Sequence, residues 1–259
     1  MNRTGLAIVL AIAAVVGIVF AVYPQLDLAI SALFFDPRTH RFSLSSQFWA
    51  QTVRDAASWL IALIVAPAFI AVGGKLLMPQ RRMLIEGRAA LLLAVTLALG
   101  PGVLANEVLK QHWGRMRPSD VVEFGGKYPF TPWWDPSGPC PENCSFIAGE
   151  PSGAFWTLTP AALAPSQWRV LAYAGAIVFG VAMGMLRIAA GGHFFTDVVF
   201  AGVFMFLLAW TSHGLIYRWR PIRMTREAVE RPLAQVGEAL RSAVAALARR
   251  MAGRSGQRS

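Results

Sequence analysis

The sequence predicts an all-α integral membrane protein with six transmembrane helices, and three observations carry that expectation. The 259-residue chain is 55% hydrophobic and only 15% charged, too apolar for a soluble domain of this length. Its apolar residues gather into runs close to the ~20 residues that a bilayer core demands. Its Lys and Arg residues collect between those runs mostly on one side.

The first run, Leu6 to Tyr23, follows Arg3 as a secretion signal would. It is longer than a signal core, and Ala21-Val-Tyr-Pro-Gln25 is a poor cleavage site, so it is read as a helix. The other spans are read at Ala56 to Gly74, Ala89 to Leu109, Ile147 to Ala164, Val170 to Leu186 and Val198 to Tyr217. The fourth of these is short and interrupted by Pro160. Pro67 and the run Gly100-Pro101-Gly102 should kink the second and third spans, a break that neighbouring helices can compensate. Residues 24 to 55 mix charged and apolar side chains as short amphipathic helices on a membrane surface do, and they offer no candidate for chemistry.

The organisation read from this pattern is a first transmembrane helix over 1–24, a membrane core over 25–220 and a basic amphipathic cytoplasmic tail over 221–259. In the tail Val229, Leu233, Val236, Leu240, Val244, Leu247 and Met251 recur at steps of three and four beside an Arg-rich face, which suits the anionic inner leaflet. With both termini in the cytoplasm, most of the 24 Lys and Arg residues fall inside. The net charge of +10 is then a membrane-surface property, and a nucleic-acid partner is not expected.

Polar residues are concentrated where two apolar runs meet, in Arg187-Ile-Ala-Ala-Gly-Gly-His193-Phe-Phe-Thr-Asp197. If the chain is helical from His193 onward, His193 and Asp197 share one face. A carboxylate there can accept the proton of one imidazole nitrogen and leave the other free as a nucleophile. Arg187 adds a planar cationic fork suited to phosphate oxygens. A second concentration, Asn106 to Pro118, places Lys110 and Arg117 two helical turns apart, so they can project from one face. The external loop Ser119 to Ser145 carries Cys140 and Cys144, read as a disulfide pair, and aromatics read as an interfacial belt.

On these residues the chain resembles the type 2 phosphatidic acid phosphatase and vanadium haloperoxidase superfamily, whose motifs are Lys-x6-Arg-Pro, Pro-Ser-Gly-His and Ser-Arg-x5-His-x3-Asp. The first motif matches as Lys110, Arg117 and Pro118, and the third as Arg187, His193 and Asp197 with Leu186 in the Ser place. The middle motif can be laid on in two registers. Pro151-Ser152-Gly153 is a literal match but puts Ala154 where the family has His. The preferred register aligns Ser145-Phe-Ile-Ala-Gly-Glu150-Pro-Ser-Gly-Ala-Phe155 with the fuller family string, so that Ala148 replaces Ser, Gly149 is kept and Glu150 replaces His.

The resemblance implies a membrane lipid phosphatase in which His193 is the nucleophile, Asp197 its orienter, and Lys110, Arg117, Arg187 and backbone amides around Gly149 the phosphate clamp. Glu150 becomes the acid and base, with burial raising its pKa and the cationic clamp lowering it. No cofactor is implied, and the His and Cys residues are not spaced as a metal site. The Glu150 variant looks similar to the lipid A phosphatase branch, which implies a bacterial inner membrane with the site on the periplasmic face. Isoprenyl and glycerolipid phosphates stay open as substrates, and so does an inactive relative that binds lipid phosphates. The oligomeric state is not fixed by these features.

Overall fold

A computed structural model describes residues 2–219 and 224–255, without the side chains of Leu247, Ala248 and Arg250 to Ser255. The side chains at the tail's expected apolar positions Leu247 and Met251 are therefore not described, and the tail's ends at 221–223 and 256–259 lie outside the described residues. Among the described residues, five helices are long and apolar enough to cross a bilayer: α1 (Arg3–Val22), α3 (Phe48–Leu77), α4 (Gly87–His112), α7 (Arg169–Ala189) and α8 (Phe195–Arg218). Between them lie α2 (Gln25–Ala32), a two-residue antiparallel pair of β1 (Phe35–Asp36) and β2 (Arg41–Phe42), α5 (Gly149–Trp156) and α6 (Leu158–Leu163), and α9 (Arg226–Ser255) follows.

The structure refines the sequence pattern at three places. The fourth run is two short helices, because Thr157 closes a tight turn onto the Ala154 carbonyl and Pro160 has no N–H to continue the ladder. Pro67 leaves α3 unbroken, but α4 widens to a π-helix over Ala98–Leu109 around Pro101. Asn106 Nδ2 donates to the Pro101 carbonyl at 2.7 Å, satisfying an acceptor within this widened stretch. Residues 24 to 55 hold a helix and a hairpin, and α3 begins at Phe48, two turns before the apolar run.

The chain divides into two compact units, Met1–Ala62 with Val95–His213, and Leu63–Ala94 with Gly214–Ser259. The first unit holds the main core, where Phe146, Ile147, Phe155, Ala201 and Met205 are buried together. Helix α5 lies directly on α7 because Gly180 has no side chain: a Cβ there would stand 2.2 Å from the Phe155 ring. The loop aromatics are core residues in part. Trp133 stacks on Phe200 at 4.3 Å and accepts, through its carbonyl, the Trp113 indole N–H at 2.8 Å, while Phe124 is buried. Tyr128 and Trp134 stay exposed, as belt residues would.

In the second unit, polar groups fasten α9 to the last residue of α3 and the segment after it. Arg241 Nε donates to the Leu77 carbonyl at 3.0 Å, and Gln80 Nε2 donates to Glu238 at 2.7 Å. Val229 is buried, whereas Val236, Leu240 and Val244 form an exposed stripe at helical spacing.

Candidate active site

The end of α4, the loop after it, the start of α5 and the α7–α8 junction meet at one end of the first unit. The backbone ties them: Cys144 N donates to the Lys110 carbonyl at 2.8 Å, Ser145 N to Arg115 at 2.8 Å, and Ala148 N to Asp197 at 3.3 Å. Cys140 and Cys144 are disulfide-bonded within this strip, with Cα atoms 5.7 Å apart.

His193 is almost fully buried and sits in the break between α7 and α8, not on the helix itself. Its Nδ1 lies 2.7 Å from the Ser145 carbonyl and 3.9 Å from Asp197 Oδ2. This corrects the expected His193–Asp197 hydrogen bond. A carbonyl can only accept, so Nδ1 carries the proton and Nε2 keeps its lone pair. The backbone supplies what the i,i+4 spacing assigned to the carboxylate. Burial, reinforced by the charge of Arg187, pushes His193 down to about 4 against the pull of Asp197, so the imidazole is neutral at physiological pH.

Asp197 is spent elsewhere. Its Oδ1 accepts from Arg115 Nη1 at 2.5 Å, and its Oδ2 accepts from the Ser145 hydroxyl at 2.5 Å and the Phe194 amide at 2.8 Å. Arg115, wholly buried, also donates to Asp27 at 2.7 Å, Thr196 at 2.8 Å and the Thr131 carbonyl at 3.0 Å, and it lies over the Phe194 ring at 4.3 Å. Burial works against its charge, but Asp197 and Asp27 more than offset it and hold the guanidinium above its ordinary range. Burial pushes Asp27 up, and the nearby Asp197 charge adds to that. Neither Arg115 nor Asp27 was a candidate from the sequence. Asp27 in particular lay in a stretch that offered none.

A cavity of about 220 Å³ adjoins this junction, lined by Arg54, Arg117 and Arg187 together with Gln51, Ser119 and Gly192. Arg187 is only 7% exposed, and its Nε has no hydrogen-bond partner; the nearest carboxylate oxygen is Glu150 Oε2 at 3.5 Å. Leaving a buried guanidinium N–H unsatisfied is costly, so the site is suited to an anion. Gly192 lets that guanidinium in, since a Cβ there would meet Arg187 Nη2 at 2.3 Å. Arg117 Nη2 donates to the Asn143 carbonyl and side chain at 2.9 and 2.8 Å, inside the disulfide loop. Lys110, Glu150 and His193 do not line the cavity. Lys110 Nζ stands beside Gly149, 3.5 Å from where a Cβ would be, and its charge couples to those of Arg117, Glu150, Arg187 and Arg54.

Glu150, in the first turn of α5, accepts from Arg54 Nε at 2.8 Å and Arg54 Nη2 at 2.5 Å. Burial raises this carboxyl, but the Arg54 hydrogen bonds and the charges of Arg187 and Arg54 outweigh it and hold Glu150 below its usual range. The balance left open by the sequence thus falls to the cations. Ala154 is fully buried against Ala57 and Met183, and the Ser152 hydroxyl is spent on the Ala148 carbonyl at 2.8 Å. Of the two registers, only the one centred on Glu150 puts an ionisable group among these arginines.

The site joins a buried neutral histidine to a cavity lined by three arginines, in a helical protein with several helices apolar enough to cross a membrane. Residues 89–224 match the model of the PAP2 superfamily, and the chain belongs to that family. It is 32% identical over 202 residues to a protein of Francisella tularensis subsp. novicida (strain U112) named Lipid A 4'-phosphatase, covering 78% of this chain and 90% of that one. Two further proteins of that name are similar. The one from Rhizobium leguminosarum is 36% identical over 47% of this chain and 49% of its own. The one from Rhizobium etli (strain ATCC 51251 / DSM 11541 / JCM 21823 / NBRC 15573 / CFN 42) is 28% identical over 77% and 79%. No solved structure matches the chain.

Proposed function

We propose that this protein is a membrane phosphatase that hydrolyses a lipid phosphate monoester through a phosphohistidine, with a phosphate of lipid A as the substrate. One observation carries the reading: a buried neutral imidazole, with one nitrogen committed to Ser145, stands next to a cavity walled by Arg54, Arg117 and Arg187. The names of the relatives favour lipid A over isoprenyl or glycerolipid phosphates.

In the first half of the reaction His193 Nε2 attacks phosphorus, the bond to the lipid oxygen breaks, and that oxygen takes a proton from the Glu150 carboxyl. In the second half the Glu150 carboxylate takes a proton from water, whose oxygen displaces the histidine and releases inorganic phosphate. Lys110, Arg117 and Arg187 hold the equatorial oxygens, where charge stabilisation does most of the work of phosphoryl transfer. Gly149 at the start of α5 adds backbone N–H groups. Asp197 acts on His193 through the Ser145 strip and the Arg115 anchor. No step calls for a metal ion.

The reading includes six crossings and a periplasmic site. Helices α4 and α7 both end at the site, which supports a return across the membrane between them through α5 and α6. The distribution of Lys and Arg favours a site on the outer face and α9 on the cytoplasmic side.

The test is phosphate release by the purified protein from lipid A, an isoprenyl phosphate and a glycerolipid phosphate, with trapping of the phosphoenzyme by an alkaline denaturing quench. Release from lipid A together with a base-stable, acid-labile phosphoenzyme supports the reading. Binding of lipid phosphates without release from any of them would identify an inactive receptor instead.

A further inference from the structure

We infer that Arg54 is a phosphate-binding residue of this site, held by Glu150 until the phosphate of the substrate takes the place of that carboxylate. The inference rests on the phosphatase reading for its chemistry. Arg54 comes from α3, outside both segments that carry Lys110, Arg117, Arg187 and His193, yet it lines the same cavity as Arg117 and Arg187. Its Nε and Nη2 donate in parallel to the two oxygens of Glu150, at 2.8 and 2.5 Å. Two oxygens of a phosphate monoester present the same spacing to a guanidinium fork and carry more charge.

The remaining nitrogen, Nη1, donates to Gln51 Oε1 at 2.7 Å, so the fork is steadied from behind whichever anion it faces. Arg54 and Glu150 side chains are 27% and 32% exposed, so the exchange opens no core, and a pair this accessible to water contributes little stability of its own. The site also needs the donor. Ala148, immediately before Gly149, has no hydroxyl to offer a phosphate, whereas Arg54 brings two N–H groups.

The exchange accounts for how Glu150 can be an acid. While Arg54 faces it, Glu150 is a carboxylate and has no proton to give. When the fork turns to the phosphate, Glu150 loses its two hydrogen-bond donors, takes up a proton from the buffered solvent, and later passes that proton to the leaving oxygen. Arrival of the phosphate thereby arms the acid.

The experiment is calorimetric titration of the full chain in detergent with inorganic phosphate, for the wild type, Arg54→Gln, Glu150→Gln and the double variant. Arg54→Gln is expected to weaken binding about tenfold or more, the weight of a charge-assisted pair. Glu150→Gln is expected to tighten it several-fold, by removing the internal competitor, and that gain should vanish when Arg54 is also replaced. Should Arg54→Gln fail to fold, Arg54→Lys keeps the charge without the fork and should bind several-fold more weakly than wild type. Unchanged affinity in the Arg54 variants, an equal Glu150→Gln gain in both backgrounds, or no phosphate binding by the wild type would overturn the inference. Wild-type protein that binds phosphate with this Arg54 dependence but hydrolyses no lipid phosphate would sink the phosphatase reading and leave the Arg54 assignment standing.

Discussion

The Nδ1 of His193 lies 2.7 Å from the main-chain carbonyl of Ser145, which fixes the tautomer of the imidazole without a carboxylate. A backbone acceptor cannot be removed by a side-chain change, so the orientation of His193 depends on where the strip from Cys140 to Ser145 is held. That strip hangs on Gly114, Lys110 and Arg115 carbonyls, each at or near a polar residue of the site.

Replacing His193 by Ala should abolish lipid-phosphate hydrolysis and phosphoenzyme formation while the protein still inserts and elutes as wild type does. The buried site loses only a ring that makes one hydrogen bond. Turnover at the wild-type rate would end the case for a histidine nucleophile.

The pH dependence should carry the mark of burial. His193 is held near 4, where an unfolded histidine titrates at about 6.5. Between these values the unfolded chain binds a proton that the folded chain does not, so this group's contribution to stability falls as pH drops through 6.5 toward 4. Above that window the nucleophile is already neutral. Any acidic limb of kcat/KM that belongs to His193 should therefore lie below 6.5, and an NMR titration that places the His193 imidazole at or above 6.5 would contradict the assignment.

Arg115→Met should be the most damaging single change away from the cavity. It strands Asp27 and Asp197 without their shared cation in a fully buried setting, which costs about 3–5 kcal/mol by analogy with other broken buried pairs. Thermal unfolding in detergent measures it. A loss within the range of a surface substitution would mean the network relaxes by admitting water.

The disulfide should matter to Arg117 more than to the fold. Closing so short a loop restrains the unfolded chain by about 2 kcal/mol at most in the chain-entropy view. The bridge also encloses Asn143, which holds Arg117 through its carbonyl and side chain. Cys140→Ser with Cys144→Ser is expected to raise KM for the lipid phosphate several-fold with little change in unfolding temperature. An unaltered KM would detach the loop from the site.

Glu150→Gln should lower kcat by roughly a hundredfold, the scale of a general acid and base, and Glu150→His should retain activity. Ala154→His should instead destabilise the protein, since Ala154 has no exposed surface and packs against Ala57 and Met183. A rate increase on Ala154→His would restore the literal Pro151-Ser152-Gly153 register.

The membrane class, the apolar runs and the two motif segments were legible because each is written in neighbouring residues. Hydrophobic runs report burial in lipid directly, and Lys110 with Arg117, or Arg187 with His193 and Asp197, stand within two or three turns of one another. Even here local spacing misled once. The i,i+4 step suggested a His193–Asp197 hydrogen bond, but the Gly191-Gly192 break holds His193 off the helix, and Asp197 turns to Arg115 and Ser145.

The sequence by itself therefore determined a membrane-embedded helical protein of this family and named the histidine and most of the cations of the candidate site. Only the tertiary structure decided which charge answers which. Asp27 meets Arg115 across 88 residues and Arg54 meets Glu150 across 96, pairings with no period and no local motif to announce them. They exist because burial forces each charged group to find a partner wherever the packed helices bring one within reach, and that is settled by the fold as a whole.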